Sequence, residues 1–118
     1  MNILDDQNAI AQRDPQNARD VALNQCDYFS ATFDAKFVPK NKVENIVWAG
    51  IGGSALPMVV VQSWPQLTIP FEIVRNYDIP HYVGGSTLFV ASSYSGNTEE
   101  TLSALSQAEE TEAQIVVV

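Results

Sequence analysis

Cysteine and histidine occur once each in this chain, as Cys26 and His81, and those counts remove several kinds of chemistry at the outset. One cysteine makes no internal disulfide, and with a single histidine it leaves no metal-ligand cluster. Cys26 reads as a small buried residue on a helix. His81, in a turn between Pro80 and Tyr82, reads as an exposed loop residue and not as a general base. Basic residues are scarce as well: six against fourteen acidic ones, a net charge of −8, which argues against nucleic acid or an anionic membrane as partner. No apolar run approaches membrane-spanning length, and the opening MNILDDQNAI has neither the basic segment nor the apolar core of a secretory leader. A cytoplasmic location is expected. Any anionic ligand must be held by local geometry, because the overall field repels it.

What is present is a chain of 118 residues, 46% apolar and 17% charged, enough for one domain that buries roughly two thirds of its unfolded surface. Residues 1–41 read as an amino-terminal helical arm. Its first part is polar, and Asp14-Pro15 is a helix start signal, aspartate as N-cap and proline at the first helical position. Ala18, Val21, Ala22, Gln25, Cys26, Phe29 and Phe33 then recur at three- and four-residue steps, predicting one amphipathic helix from about Pro15 to about Phe33.

Residues 42–118 carry the fold. Strands are predicted at 43–49, 68–77, 86–91 and 113–118, with helices at 55–62, closed by Trp64-Pro65, and from the Thr98 region to about Glu112. Near-continuous apolar strands alternating with helices imply an α/β fold, an open parallel sheet sandwiched between helices. The connection between the second and third strands, 78–85, is short for a parallel crossover, which normally takes a dozen residues or more. Val116-Val117-Val118 is a bare apolar strand that in a finished domain would pair with a further one, so the chain reads as truncated at its fourth strand.

Two loops stand where strands run into helices. The apolar run Leu88-Phe89-Val90-Ala91 enters Ser92-Ser93-Tyr94-Ser95-Gly96-Asn97-Thr98, in which Gly96 lets the backbone turn. Asn97 with Glu100 has the spacing of a capping box. Free N–H groups at a helix start, with hydroxyls beside them, make a phosphate cradle without a basic residue. An ordinary serine-rich cap fits the same residues equally well. The other loop, Gly50-Ile51-Gly52-Gly53-Ser54-Ala55, matches the dinucleotide pattern G-x-G-x-x-A. That fold should carry an acidic residue at the end of its second strand to grip the ribose. Here the strand ends in Val74-Arg75-Asn76-Tyr77, and Arg75 would suit a ribose phosphate, which weakens the dinucleotide reading without removing it. Two loops at the carboxyl edge of one sheet, offering Ser54, Ser93, Ser95 and Thr98, suit a phosphorylated small molecule better than a pyrophosphate.

GIGGSA, VRNY-DIP and above all SYSGNTEET resemble the sugar isomerase (SIS) domain, most closely the amino-terminal half of the bifunctional phosphoglucose/phosphomannose isomerases. The resemblance implies a SIS-type, flavodoxin-like fold, with 42–118 an incomplete SIS domain. It implies interconversion of fructose 6-phosphate with glucose 6-phosphate or mannose 6-phosphate through an enediol, without metal or nucleotide cofactor, in a homodimer. Carried over by position, Gly52, Gly53, Ser54, Ser93, Ser95 and Thr98 hold the phosphate. Arg75, Gly96, Asn97 and Glu100 support the loops. The family's base, ring-opening histidine, lysine and further arginine fall beyond Val118, so no residue of this chain is expected to be catalytic. The alternatives are a non-enzymatic phosphosugar-binding module and, behind it, a dinucleotide-binding domain.

Overall fold

The computed structural model describes residues 6–28, 30, 37–63 and 67–118. It divides into two compact units, Met1–Phe37 and Val38–Val118.

In the first unit, α1 (Gln7–Arg13) begins where the Asp6 carboxylate accepts the Asn8 and Ala9 amides at 3.0 and 3.1 Å. The long helix expected from Pro15 is instead two short ones, α2 (Ala18–Leu23) and α3 (Gln25–Tyr28). Asp14 does cap, but from further back: its carboxylate takes the amides of Ala18 and Arg19, each at 2.8 Å. Asn17 between them sits in the left-handed region at φ 56°, which a helix starting at Pro15 could not contain. No residue of α2 is buried, and without a buried stripe a helix of six residues gains little from tertiary packing. Cys26, expected to be buried, is exposed on α3. Phe29 and Phe33, the end of the expected stripe, lie outside the described residues, as do Trp64 and Pro65.

The second unit is an α/β fold built on four parallel strands, β1 (Asn45–Ala49), β2 (Phe71–Val74), β3 (Thr87–Ala91) and β4 (Gln114–Val117), in the order β2-β1-β3-β4. Helix α4 (Leu56–Gln62) joins β1 to β2, and α5 (Glu99–Glu109) joins β3 to β4. The two crossovers leave the centre in opposite directions. With right-handed connections they therefore place their helices on opposite faces of the sheet, the arrangement of flavodoxin-like and SIS-type folds.

The core lies under α5. Val47, Ala49, Val74, Phe89 and Ala91 project from one face of the sheet and meet Ala104 and Ala108 of the helix. Two alanines let the helix axis come close to the strands, and Phe89, wholly buried, fills the space between them. Its burial contributes roughly 2–3 kcal/mol.

The awkward connection between the second and third strands resolves in two ways. β2 ends at Val74, three residues earlier than expected, so Arg75 to Ser86 supplies twelve residues, not eight. The strands are also not neighbours but flank β1. The connecting segment crosses beneath the sheet on the α5 side, tucking Val83 into the core with Ile79 packed beside it.

Candidate functional site

β1 and β3 are adjacent, and their crossovers diverge, so the loops that follow them face each other at the carboxyl edge of the sheet. This is the switch point at which open α/β sheets leave a crevice. The loop after β1 turns at Gly52, φ 56°, through a single 3-10 turn, Gly52–Ser54, before α4 begins with Pro57 in its first turn. Trp48 anchors that turn from the strand by donating its indole N–H to the Ser54 carbonyl at 2.9 Å. The loop after β3 turns at Gly96, φ 70°. Positive φ at these two positions is a conformation that glycine adopts without strain.

The loops touch. The Tyr94 amide donates to Ser54 Oγ at 3.4 Å, and at their base the Ser92 amide extends the β1–β3 pairing by donating to the Ala49 carbonyl at 2.8 Å. Between them opens a cleft of about 560 Å³ lined by Ile51, Gly53, Ser54, Tyr94, Ser95 and Thr98. That volume lies within the range of small-molecule sites. Four of the six residues assigned to phosphate therefore line one cleft. The other two stand just behind it: Gly52 makes the turn, and Ser93 Oγ lies 2.9 Å from Thr98 Oγ1 and 3.5 Å from Ser95 Oγ. Ile51 and Tyr94 also line the cleft, although neither is among the residues expected to hold phosphate. Tyr94 is fully exposed.

Helix α5 starts one residue later than the expected capping box requires. Its N-cap is Thr98, not Asn97, and Thr98 makes no side-chain bond to the helix. The hydroxyl that would cap is instead turned to Ser93, while the Asn97 amide donates to Ser95 Oγ at 3.3 Å. The first N–H groups of an eleven-residue helix are thus left without a side-chain cap beside three hydroxyls. Such an end carries partial positive charge and suits an anion.

No carboxylate, imidazole, ammonium or guanidinium lines this cleft among the described residues. Arg75 follows β2 directly and lines a different hollow, with Gln62, Glu72, Ile73 and Asn76. Glu100 is half-buried in the first turn of α5. His81 is exposed, beside Asp78 and Glu110 in a groove at the other end of α5. No group of three or more histidine, cysteine, aspartate or glutamate side chains among the described residues could hold a metal ion. None of the described helices is long and apolar enough to cross a membrane.

A fold of this order, with a neutral, hydroxyl-lined crevice at its switch point, is of the open, doubly wound α/β class. Comparison with curated proteins narrows that class. The chain is 41% identical over 83 residues to the bifunctional phosphoglucose/phosphomannose isomerase of Caldicellulosiruptor bescii, covering 69% of this chain and 24% of that protein. It is 43% identical over 76 residues to the enzyme of the same name from Thermoplasma acidophilum, covering 64% and 24%. It is 37% identical over 75 residues to the D-glucosamine-6-phosphate 4-epimerase of Sulfolobus acidocaldarius, again covering 64% and 24%. Over the matched part the chain is a relative of the bifunctional phosphoglucose/phosphomannose isomerases. It spans about a quarter of the length of these curated relatives. No protein-family profile matches the chain, and no solved structure does.

Proposed function

We propose that this chain is the phosphosugar-binding portion, from the amino-terminal half, of an aldose-ketose isomerase acting on fructose 6-phosphate and glucose 6-phosphate or mannose 6-phosphate. The observation that carries this reading is the uncapped start of α5, where Thr98, Ser93 and Ser95 gather their hydroxyls opposite Ser54. A phosphate there would accept hydrogen bonds from hydroxyls and from the first amides of the helix. The sugar would extend past Ile51 and Tyr94 into solvent. An isomerase must move a proton between carbons next to the carbonyl, and that step needs a positioned base. Among the described residues the cleft lining offers none, and on this reading the base and the groups that open the sugar ring come from residues outside this chain. The full protein is a cytoplasmic homodimer on this reading, using neither metal nor nucleotide.

The relative named as an epimerase supports the phosphosugar class more firmly than any one reaction on it. A non-enzymatic phosphosugar module is the second reading, favoured by the neutral lining of the cleft. Calorimetry on the 118-residue chain should show binding of glucose 6-phosphate and fructose 6-phosphate and none of unphosphorylated glucose. Equal binding with and without the phosphate would overturn the cradle. Isomerase activity in a longer product that continues past Val118, with none in this chain, would separate the enzyme from the module. Sedimentation of that longer product tests the dimer.

A further inference from the structure

The segment Arg75–Pro80 has no part in the cleft, yet it is strapped along α5 at two points. The Tyr77 hydroxyl donates to Glu99 Oε2 at 3.2 Å. Two helical turns further on, about 12 Å along the axis, Gln107 holds the backbone of the same segment. Its Nε2 donates to the Tyr77 carbonyl at 2.6 Å, and its Oε1 accepts the Ile79 amide at 3.4 Å. Gln107 is itself fixed by donating to Ser103 Oγ at 3.2 Å. Tyr77 is therefore held at both ends, its carbonyl by Gln107 and its hydroxyl on Glu99.

Glu99 is the residue that needs holding. It follows Thr98 directly, is exposed, and sits in the first helical turn where an acidic side chain is drawn to the free amides. Those are the amides a phosphate would use. A carboxylate free to fold back over Thr98 would compete for them and repel a dianion. In the structure Glu99 does not line the cleft, and its carboxylate is engaged on the Tyr77 side.

We propose that Tyr77 is a positioning residue of the cradle, which by donating its hydroxyl to Glu99 keeps that carboxylate out of the space an incoming phosphate would occupy. The inference rests on the reading of the cleft as a phosphate site. It gives the VRNY-DIP segment a role that strand geometry does not: an acidic first turn and a bound anion can share one helix end. The charge of Glu100 and the hydrogen bond to Glu99 both raise the Tyr77 pKa, so the phenol keeps the proton it donates.

The test is calorimetric titration of the 118-residue chain with glucose 6-phosphate and with inorganic phosphate at about pH 8, where phosphate is dianionic. Tyr77→Phe, Glu99→Gln and the double variant are compared with the unmodified chain, and thermal unfolding confirms that each folds. Tyr77→Phe should weaken both ligands by about two- to fivefold, the usual scale of one charge at a helix end. The same change in the Glu99→Gln background should leave binding unchanged, because no carboxylate remains to be released. An unchanged affinity in Tyr77→Phe, or an equal loss in both backgrounds, overturns the proposal, the latter by assigning Tyr77 a purely structural role. Should Tyr77→Phe fail to fold, Gln107→Leu, which frees the carbonyl end of the strap, is read in the same two backgrounds with the same expectations. If the unmodified chain binds neither ligand, the cradle reading itself falls and takes this proposal with it. Binding by the unmodified chain with no effect of Tyr77→Phe removes the proposal alone.

Discussion

Replacing Gly50 with alanine would test whether the two loops are pressed together as tightly as the cleft requires. Gly50 has an ordinary backbone conformation, so its importance lies in space and not in φ. A Cβ at this position would stand 3.1 Å from the Ser54 carbonyl oxygen, 3.3 Å from its carbon and 3.2 Å from the Ser92 carbonyl oxygen. All three neighbours are main-chain atoms, one set from each loop. Gly50 cannot retreat, because its amide is bonded to the Val74 carbonyl at 3.1 Å. The loops must therefore part by a few tenths of an ångström. Overpacking of this kind costs about 1–3 kcal/mol. Alanine also lowers the entropy of the unfolded chain, which offsets about 0.4–1 kcal/mol. The net loss is roughly 1–2 kcal/mol, and in a unit the size of Val38–Val118 this corresponds to a fall in Tm of about 5–15 °C. Thermal unfolding followed by circular dichroism reads the stability, and titration with glucose 6-phosphate should show weaker binding in the same variant. A Tm within about 2 °C of the unmodified chain, with unchanged affinity, would refute the claim that the loops are in contact through Gly50.

Three further outcomes follow from particular contacts. Ser95→Ala should weaken phosphosugar binding by about 1–2 kcal/mol, the value of one hydrogen bond to a charged group; an unchanged Kd would remove Ser95 from the site. Partial burial and the hydrogen bond to Glu72 push the Tyr82 pKa up from 10.0 to about 12. The pair therefore contributes fully below pH 10, and that contribution is lost as the pH rises from 10 to 12, because the unfolded chain ionises first. Tyr82→Phe should flatten that part of the Tm-against-pH curve, and an identical slope in the variant would count against it. The amides of Arg19 and Ala18 hold the Asp14 pKa below 3.8, so the start of α2 should persist at pH 3.8 and loosen only on further acidification. An NMR titration of the Ala18 and Arg19 amides with a midpoint at or above 3.8 would contradict this.

The parts of the fold legible in the sequence were those set by backbone pattern. Leu88 to Ala91, buried or half-buried along its length, reads as a strand whatever surrounds it, and the two loops follow from glycine placed where strand meets helix. Side chains whose role depends on a choice of partner were less legible. Asn97 has the chemistry of an N-cap, but the cap position went to Thr98, whose hydroxyl found Ser93 instead. Spacing cannot reveal that choice, because asparagine and threonine, here at adjacent positions, both suit an N-cap. The amphipathic stripe through Val21 and Cys26 is real as a pattern, yet a stripe makes a long helix only when something buries it, and in α2 and α3 those two residues are exposed. β2 ends at Val74, three residues before the end expected at Tyr77. Gln107 and Glu99, far off in sequence, hold Tyr77 beside α5 and away from the strand.

On the phosphate reading proposed above, a cleft with no cation in its lining among the described residues, set in a chain of net charge −8, has a kinetic consequence. Proteins that hold phosphate with lysine or arginine draw the anion in, and added salt slows capture by screening that attraction. Here the attraction begins only within reach of the free amides in the first turn of α5, while the long-range field opposes approach. Salt at physiological strength shortens that opposing field to about 8 Å. Capture by this domain should therefore speed up with ionic strength, while the lifetime of the bound phosphate, set by hydrogen bonds at short range, changes little.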